Sequence, residues 1–153
     1  MATYSLDILI DGTPSADSVY GAGSEADKAC DNDTATIWNS ANTAWPHWWK
    51  YDLGNSKKVI QLTLSSVNQS GGNAGIKNFT FKGSSDDTNW TTIYTGLHAN
   101  NFDVQTYQFT NTQFYRYYRV DISDSWTTAD TCANIKEVEM MTIIPQGGFF
   151  PIM

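Results

Sequence analysis

Period-two alternation, in short runs cut by turn residues, constrains this chain more than any other feature. Ile60, Leu62 and Leu64 alternate with Gln61, Thr63 and Ser65. Phe79 and Phe81 alternate with Thr80 and Lys82, and Tyr118, Val120 and Ile122 with Arg119 and Asp121. Leu6, Ile8 and Ile10 are spaced in the same way around Asp7 and Leu9. Successive side chains of a strand point to opposite faces, so such runs carry one apolar and one polar face. Clusters of Gly, Asn, Asp and Ser at 11–15, 21–24, 39–43, 54–56, 70–75, 83–89, 96–103 and 123–131 separate the runs, as turns do. A last strand around Ile135–Ile144 reads less cleanly, and the one helical stretch is a single turn near Glu25–Ala29. About eight short strands with one apolar face each are buried by packing sheet on sheet, which predicts an all-β antiparallel sandwich or jelly roll.

The 153 residues suit one domain, long enough to bury roughly 70% of its unfolded surface without disulfide staples. No internal repeat or linker divides residues 1–144. Beyond them, PQGGFFPIM at 145–153 is a breaker cluster followed by apolar residues. It reads as a tail that either packs back on the domain or docks on a protein partner or a second copy of the chain.

The net charge of −7 argues against nucleic acid, whose phosphates select basic patches, and against anionic membrane surfaces. No run approaches the roughly 18 apolar residues of a membrane span. The opening MATYSLDILI has no basic stretch followed by an apolar one, so no signal peptide is expected in this chain. The protein is then either made in the cytoplasm or a piece of a longer extracellular chain. Cys30 and Cys132 are too few for a zinc ribbon. They are either two buried thiols or a bridge closing a loop of about a hundred residues, worth roughly 4–5 kcal/mol in the chain-entropy model.

Six Trp exceed what a core of this size needs, and aromatic rings are favoured contact surfaces. A sugar offers flat C–H faces ringed by hydroxyls, so its site requires an aromatic platform beside planar hydrogen-bonding side chains. The turn segments offer Trp45 and His47 with Asn42, Asn73 in the NQSGGNAG stretch, His98, Asn101 and Phe102, and Trp126 with Asp124 and Asp130. Trp126 is the first choice of platform. The alternatives are that Trp126 packs on its own loop, that His47 bonds within the Pro46 turn, and that His98 is a solvated loop residue. The segment Lys28–Thr36 supplies carboxylates, a hydroxyl and carbonyls in a tight turn. Such a loop can wrap a hard cation, or can be a turn whose Asp, Asn and Thr cap their own backbone. The adjacent acids Asp86 and Asp87 are the only such pair outside that loop, and no nucleophile–base pair is visible, so an enzyme is not expected.

Four stretches together resemble the coagulation-factor type C, or discoidin, domain family, and within it the family 32 carbohydrate-binding modules. They are ADKACDNDTATIW at 26–38, WPHWWKYDLG at 45–54, IKNFTFKGSSDDTNWTTIYTG at 76–96, and FYRYYRVDIS at 114–123 followed by ANIKEVEMM at 133–141. The PHW and KYDLG forms also look like discoidin-like modules of phage tails and virions. The resemblance implies an eight-stranded antiparallel jelly roll of the galactose-binding-domain type and a structural Ca2+. Its implied ligands are the Lys28 carbonyl, Asp31, the Asp33 carbonyl or carboxylate, Thr36, the Lys136 carbonyl and Glu137, with Glu139 competing for the last place. Asn32 stands where the family often has Gly, and Asn tolerates the left-handed backbone such a turn needs. Cys30 and Cys132 flank the same two segments, so a bridge beside the ion is compatible with the frame.

By the same resemblance Trp38, Trp48 and Trp90 are structural, and Arg116 and Arg119 make ion pairs within the sheets. Ligand-binding loops project from one end and often take galactose-type sugars. The leading expectation is a non-catalytic glycan-binding module on an extracellular or virion surface. The alternative is a structural or protein-binding module that assembles through its loops and tail.

Overall fold

The computed structural model describes residues 3–69, 72–73, 75–127 and 131–144, with the backbone alone for 68–69 and 72–73. The expected tail at 145–153 and Asp130 lie outside the described residues, as does the side chain of Asn73. The strands are β1 Thr13–Ala16, β2 Trp38–Asn39, β3 His47–Lys57, β4 Gln61–Ser65, β5 Asn68–Gln69, β6 Gly72–Asn73, β7 Asn78–Ser84, β8 Thr91–Leu97, β9 Gln105–Gln108, β10 Tyr115–Ile122, β11 Asn134–Ile135 and β12 Glu137–Met141. A five-stranded sheet in the order β1-β3-β10-β7-β8 faces a three-stranded sheet in the order β12-β4-β9, and β11-β2 and β5-β6 form short ribbons. All pairings are antiparallel. The expected sandwich is therefore present, with its single helical turn at Ala26–Ala29.

Alternation along the central strands builds the core. Trp49, Tyr51 and Leu53 of β3, Tyr118, Val120 and Ile122 of β10, and Phe79 and Phe81 of β7 are buried. Leu62 and Leu64 of β4, Val138 and Met140 of β12, and Tyr107 of β9 face them from the smaller sheet. Aromatic contacts join the two layers, with Phe79 and Tyr107 ring centres 5.0 Å apart and Phe81 and Phe109 5.3 Å apart. Tyr118 also closes the β3–β4 turn, its hydroxyl donating to the Lys57 carbonyl at 2.7 Å and accepting from Val59 N–H at 3.1 Å.

The structure corrects two expectations. The run at 6–10 is not a strand, and its parity is reversed. Leu9 is buried, whereas Leu6 and Ile10 are 89% and 73% exposed, because Asp7 Oδ1 accepts from Leu9 N–H at 3.2 Å and from Met140 N–H at 2.9 Å and so folds the segment against β12. Of the neighbouring pair, Trp49 and not the expected Trp48 fills the core. Trp49 is fully buried and donates its indole N–H to the Ala26 carbonyl at 2.8 Å, while Trp48 lies on the outer face. There Arg119 is stacked 4.4 Å from the Trp90 ring centre and 5.7 Å from that of Trp48, a cation–π arrangement. Of the two readings open for the cysteines, the structure has no disulfide between Cys30 and Cys132. The polar outer face carries the expected arginine contacts. Arg116 makes a two-pronged pair with Asp52 at 2.8 and 2.9 Å, and Arg119 Nη2 donates to Asp121 at 3.1 Å.

Two substitutions separate the faces. Trp49→Ala should lose about 3–5 kcal/mol, as removal of a buried aromatic does, and Trp48→Ala only about 1 kcal/mol, the scale of an exposed cation–π contact. Urea unfolding of both variants checks this, and equal losses would contradict the assignment of faces.

Candidate functional site

Strand direction gathers most of the candidate ligand residues at one end of the sandwich. β3 begins at His47, β10 ends at Ile122, β7 begins at Asn78 and β8 ends at Leu97. Among the described residues, the segments 40–46, 66–69, 75–77, 98–104, 123–127 and 131–133 therefore lie at the same edge. Register makes the gathering specific, because Ile122 pairs with Phe79. The residues just past β10 then meet those just before β7. Asp124 accepts from Asn78 N–H at 2.8 Å and from the Asn78 amide at 3.0 Å, and Lys77 Nζ lies 3.5 Å from it. Gly75 completes the approach. A side chain there would run into Asn134 and Ser66, so only glycine lets the 66–75 hairpin pass so close to β11.

Trp126 is half-buried at this end. Its indole N–H donates to the His98 carbonyl at 2.8 Å, and Lys77 Nζ sits 5.0 Å from its ring centre. The ring is thus held on one edge and covered from one side by a cation. Phe102 is 46% exposed nearby in the chain segment that leaves β8. Trp45, half-buried, makes a T-shaped contact with His47, centroids 5.0 Å apart, and packs against the core. The Trp45–Pro46 peptide bond is cis.

Both histidines are corrected by the structure. His47 is fully buried, its Nδ1 2.7 Å from Asp17 and its Nε2 2.7 Å from the Thr131 carbonyl. Both ring nitrogens are committed to contacts that join three segments of the loop end. His98 is not solvated. It is fully buried, with Nδ1 2.8 Å from the Tyr107 hydroxyl, and burial pulls its pKa down to about 4, so it is neutral at physiological pH. Asn101 is a turn residue whose side-chain oxygen accepts from Asp103 N–H and from the Gln105 amide. Of Asn73, the backbone pairing with Asn68 places it in the same hairpin. Sequence reasoning missed Lys77 and Asn78. Their position just before the Phe79–Phe81 alternation was the available signal, once β7 is paired with β10.

The Lys28–Thr36 loop concentrates oxygen. The Thr36 hydroxyl lies 2.9 and 3.0 Å from the two Asp31 carboxylate oxygens, 3.0 Å from the Asp33 carbonyl and 3.4 Å from the Lys28 carbonyl. One hydroxyl hydrogen cannot serve four acceptors; Asp33 N–H donates to Asp31 Oδ1 at 3.0 Å and Thr36 N–H to the Asp33 carbonyl at 3.0 Å, and Lys28 Nζ lies 3.6 Å from Asp31 Oδ2. The Asp33 carboxylate is taken by Ala35 N–H at 2.9 Å, which leaves the Asp33 carbonyl as its inward group. Asn32 adopts φ of 58°, the left-handed turn expected of it.

Glu137 faces this loop from the start of β12. One of its oxygens is buried without a hydrogen-bond partner. Its pKa is pushed up to about 7, first by burial and then by the charges of Asp31 and Glu139, against a backbone N–H of Asn32 that favours the anion. Glu139, two residues on, accepts from the Thr63 hydroxyl at 3.2 Å. Lys136 is tied alongside by its N–H, which donates to the Ser65 carbonyl at 2.9 Å. Among the described residues no three His, Cys, Asp or Glu side chains cluster. The donor set here is two carboxylates, a hydroxyl and carbonyls, which fits a hard, oxygen-seeking cation.

A family model described as the F5/8 type C domain matches residues 13–138. Among solved structures, chitosan-binding module 1 of a chitosanase/glucanase from Paenibacillus sp. IK-5 is 29% identical, with a TM-score of 0.76 over 89% of this chain and 98% of that one. Chitosan-binding module 2 of the same enzyme, solved with chitotriose, is 26% identical, with a TM-score of 0.75 over 88% and 98%. The family 32 carbohydrate-binding module of Clostridium perfringens NanJ, solved with galactose, shares the fold at a TM-score of 0.78 and 20% identity, over 92% and 100%. Among curated proteins none matches. No helix of the described residues is long and apolar enough to cross a membrane.

Glu137 gives a pH test. Its folded-state pKa lies above the ordinary 4.5, so the fold favours the neutral acid, and its contribution is greatest below pH 4.5 and is lost as pH rises to about 7. His98 acts with the opposite sign, its contribution falling as pH drops from 6.5 toward about 4, but it is common to wild type and variant. In chelator, the stability of wild type minus that of Glu137→Gln should therefore fall between pH 4.5 and 7. Urea midpoints across that range measure it, and a flat difference would contradict the placement of Glu137.

Proposed function

The chain belongs to the F5/8 type C domain family, and on that premise we propose that it is a non-catalytic glycan-binding module closed by one structural calcium ion. The observation that carries the glycan reading is Trp126, an aromatic ring at the loop end. It is fixed by the His98 carbonyl and Lys77, with the amide of Asn78 and the carboxylate of Asp124 at its side. A sugar ring would stack its C–H face on the indole while these polar groups meet its hydroxyls. Phe102 extends the apolar surface of the same end. The names of the structural relatives support the ligand class, and the proposed setting is extracellular, where glycans are displayed.

A galactose-type sugar is the first ligand to test. A glucosamine oligomer is the second reading, favoured by the net charge of −7 and by the two relatives that bind chitosan. Catalysis has no support from the adjacent acids. Asp86 accepts from Thr88 and Asn89 N–H at 3.0 and 2.8 Å, and Asp87 pairs with Lys50 at 2.7 Å. Both are spent on the turn between β7 and β8.

Calcium would be held by Asp31, the Lys28 and Asp33 carbonyls, Thr36, Glu137 and the Lys136 carbonyl. It would supply charge neutralisation, with no reaction assigned to it. Asp31 and Glu137 repel each other, and one Glu137 oxygen is buried without a hydrogen-bond partner. A cation there converts that repulsion into a tie between the first and last thirds of the sequence.

Isothermal titration with galactose, lactose and chitotriose should detect one of these sugars, and Trp126→Ala should weaken it at least about tenfold, the scale of a lost aromatic stack. An unchanged affinity in Trp126→Ala would refute the platform. Calcium at a hundredfold excess over its dissociation constant should stabilise the fold by about 2.7 kcal/mol, or roughly 5–10 °C for a domain of this size. Asp31→Asn should abolish that shift. A melting temperature indifferent to calcium and chelator would remove the ion from the account.

A further inference from the structure

The outer face of the five-stranded sheet carries a polar hollow beside the loop end. It holds about 270 Å³, and its lining includes Pro46, Asn78, Thr80, Lys82, Thr95 and Asp121. Strand register builds it. Trp48, Asp121, Thr80 and Thr95 are successive partners across β3, β10, β7 and β8, and Lys50, Arg119, Lys82 and Thr92 form the next row. Alternate residues of a strand share a face. Both rows therefore lie on the side away from the core, which takes the residues between them, Trp49, Phe81 and Val120. Between the two rows the register of β8 skips Ile93, and a bulge of that kind bends its strand.

Charge sets what the hollow can hold. Arg119 Nε and Nη2 lie 2.6 and 3.1 Å from the two oxygens of Asp121, and Lys82 Nζ pairs with the same carboxylate. The side chains of Lys82 and Asp121 are only 25% and 18% exposed, so screening by water is reduced there. Two cations thus share one acid, whereas Lys50 and Arg116 of the same face each have an acid of their own, Asp87 and Asp52. Screening limits exposed charges to about 8 Å at physiological salt. Within that range the surplus positive charge at Lys82 outweighs the chain's net charge of −7. An ammonium carries three N–H donors, and the bond to Asp121 uses one. The remaining donors, with the hydroxyls of Thr80 and Thr95, match a carboxylate set in a ring of hydroxyls. An ammonium-bearing sugar would instead meet two cations and an acid already matched.

Asn78 belongs to both places. It lines the hollow, and its amide donates to Asp124 beside the Trp126 ring. A glycan seated on Trp126 can thus place a neighbouring residue in the hollow. We propose that the hollow is a second subsite, for a sugar that carries a carboxylate, a uronic acid. Lys82 is its charge partner, and Thr80 and Thr95 meet its ring hydroxyls. The subsite deepens the glycan reading and rests on it, since one saccharide would occupy both the Trp126 ring and the hollow.

The test titrates the full chain with digalacturonic acid and with its neutral counterpart galactobiose, by calorimetry and by the amide resonances of the protein. Digalacturonic acid should bind at least about fivefold more tightly, the scale of one charge-assisted hydrogen bond. It alone should move the amides of Thr80, Lys82 and Thr95. Sodium chloride on the order of 0.5 M should erase the preference. Lys82→Met should erase it too, and Lys82→Arg should keep it. Equal affinities, or a preference that survives salt or Lys82→Met, would overturn the subsite. Digalacturonate shifts confined to Trp126, Lys77 and Asn78 would overturn it as well, and would leave the Trp126 reading standing. Shifts at Thr80, Lys82 and Thr95 with the Trp126 indole unmoved would uphold the subsite and remove only the platform. Binding of neither saccharide would overturn both.

Discussion

The pairing of β10 with β7 is the constraint from which the proposed recognition surface follows. β10 sits between β3 and β7, sends Tyr118, Val120 and Ile122 into the core, and leaves Tyr117, Arg119 and Asp121 on the outer face. A slip of one residue would reverse those faces, so burial fixes the register at Ile122 opposite Phe79. That register sets Asp124 against Asn78 and Lys77, and Lys77 against the Trp126 ring. A core decision thereby determines where the Trp126 ring stands in a loop several residues away. His47 plays a matching part from β3, since its two nitrogens hold Asp17 and the Thr131 carbonyl, and with them the neighbouring loops.

The other organising feature is a gathering of oxygens around one unpartnered carboxylate oxygen. Between the 28–36 loop and β12, two carboxylates, a hydroxyl and carbonyls converge, and one oxygen of Glu137 is buried without a partner. Buried groups of this kind are costly unless paired. The raised pKa of Glu137 expresses that cost as a proton, and a bound cation would relieve it instead. The same physics explains why the loop and the strand are expected to be coupled, and why Glu139, already served by Thr63, is the weaker candidate for the role.

Much of the fold was legible in the sequence because its long strands obey strict alternation, and β4, β7 and β10 fall where the pattern puts them. The N-terminal run failed because alternation of Leu6, Ile8 and Ile10 was read without the Asp7 side chain, which captures the Met140 and Leu9 amides and turns Leu9 inward. The burial of Trp49 in place of Trp48 was recoverable, since Trp49, Tyr51 and Leu53 share a face by simple count. The site was harder. Whether a loop histidine meets solvent depends on partners 30 and 84 residues away, as with His47, and no local pattern encodes them. The loop oxygens of Asp31 and Thr36 were legible as residue types; their convergence on one hydroxyl was not.

The central claim is that ligand is recognised at the loop end, on the indole of Trp126. Nuclear magnetic resonance titration of the intact protein with galactose and with chitotriose locates the contact most directly. The account predicts that the Trp126 indole N–H and the amides of Lys77 and Asn78 shift together and saturate with one curve. Shifts centred on Trp48 and Trp90 of the outer sheet face, with the Trp126 signal unmoved, would contradict it.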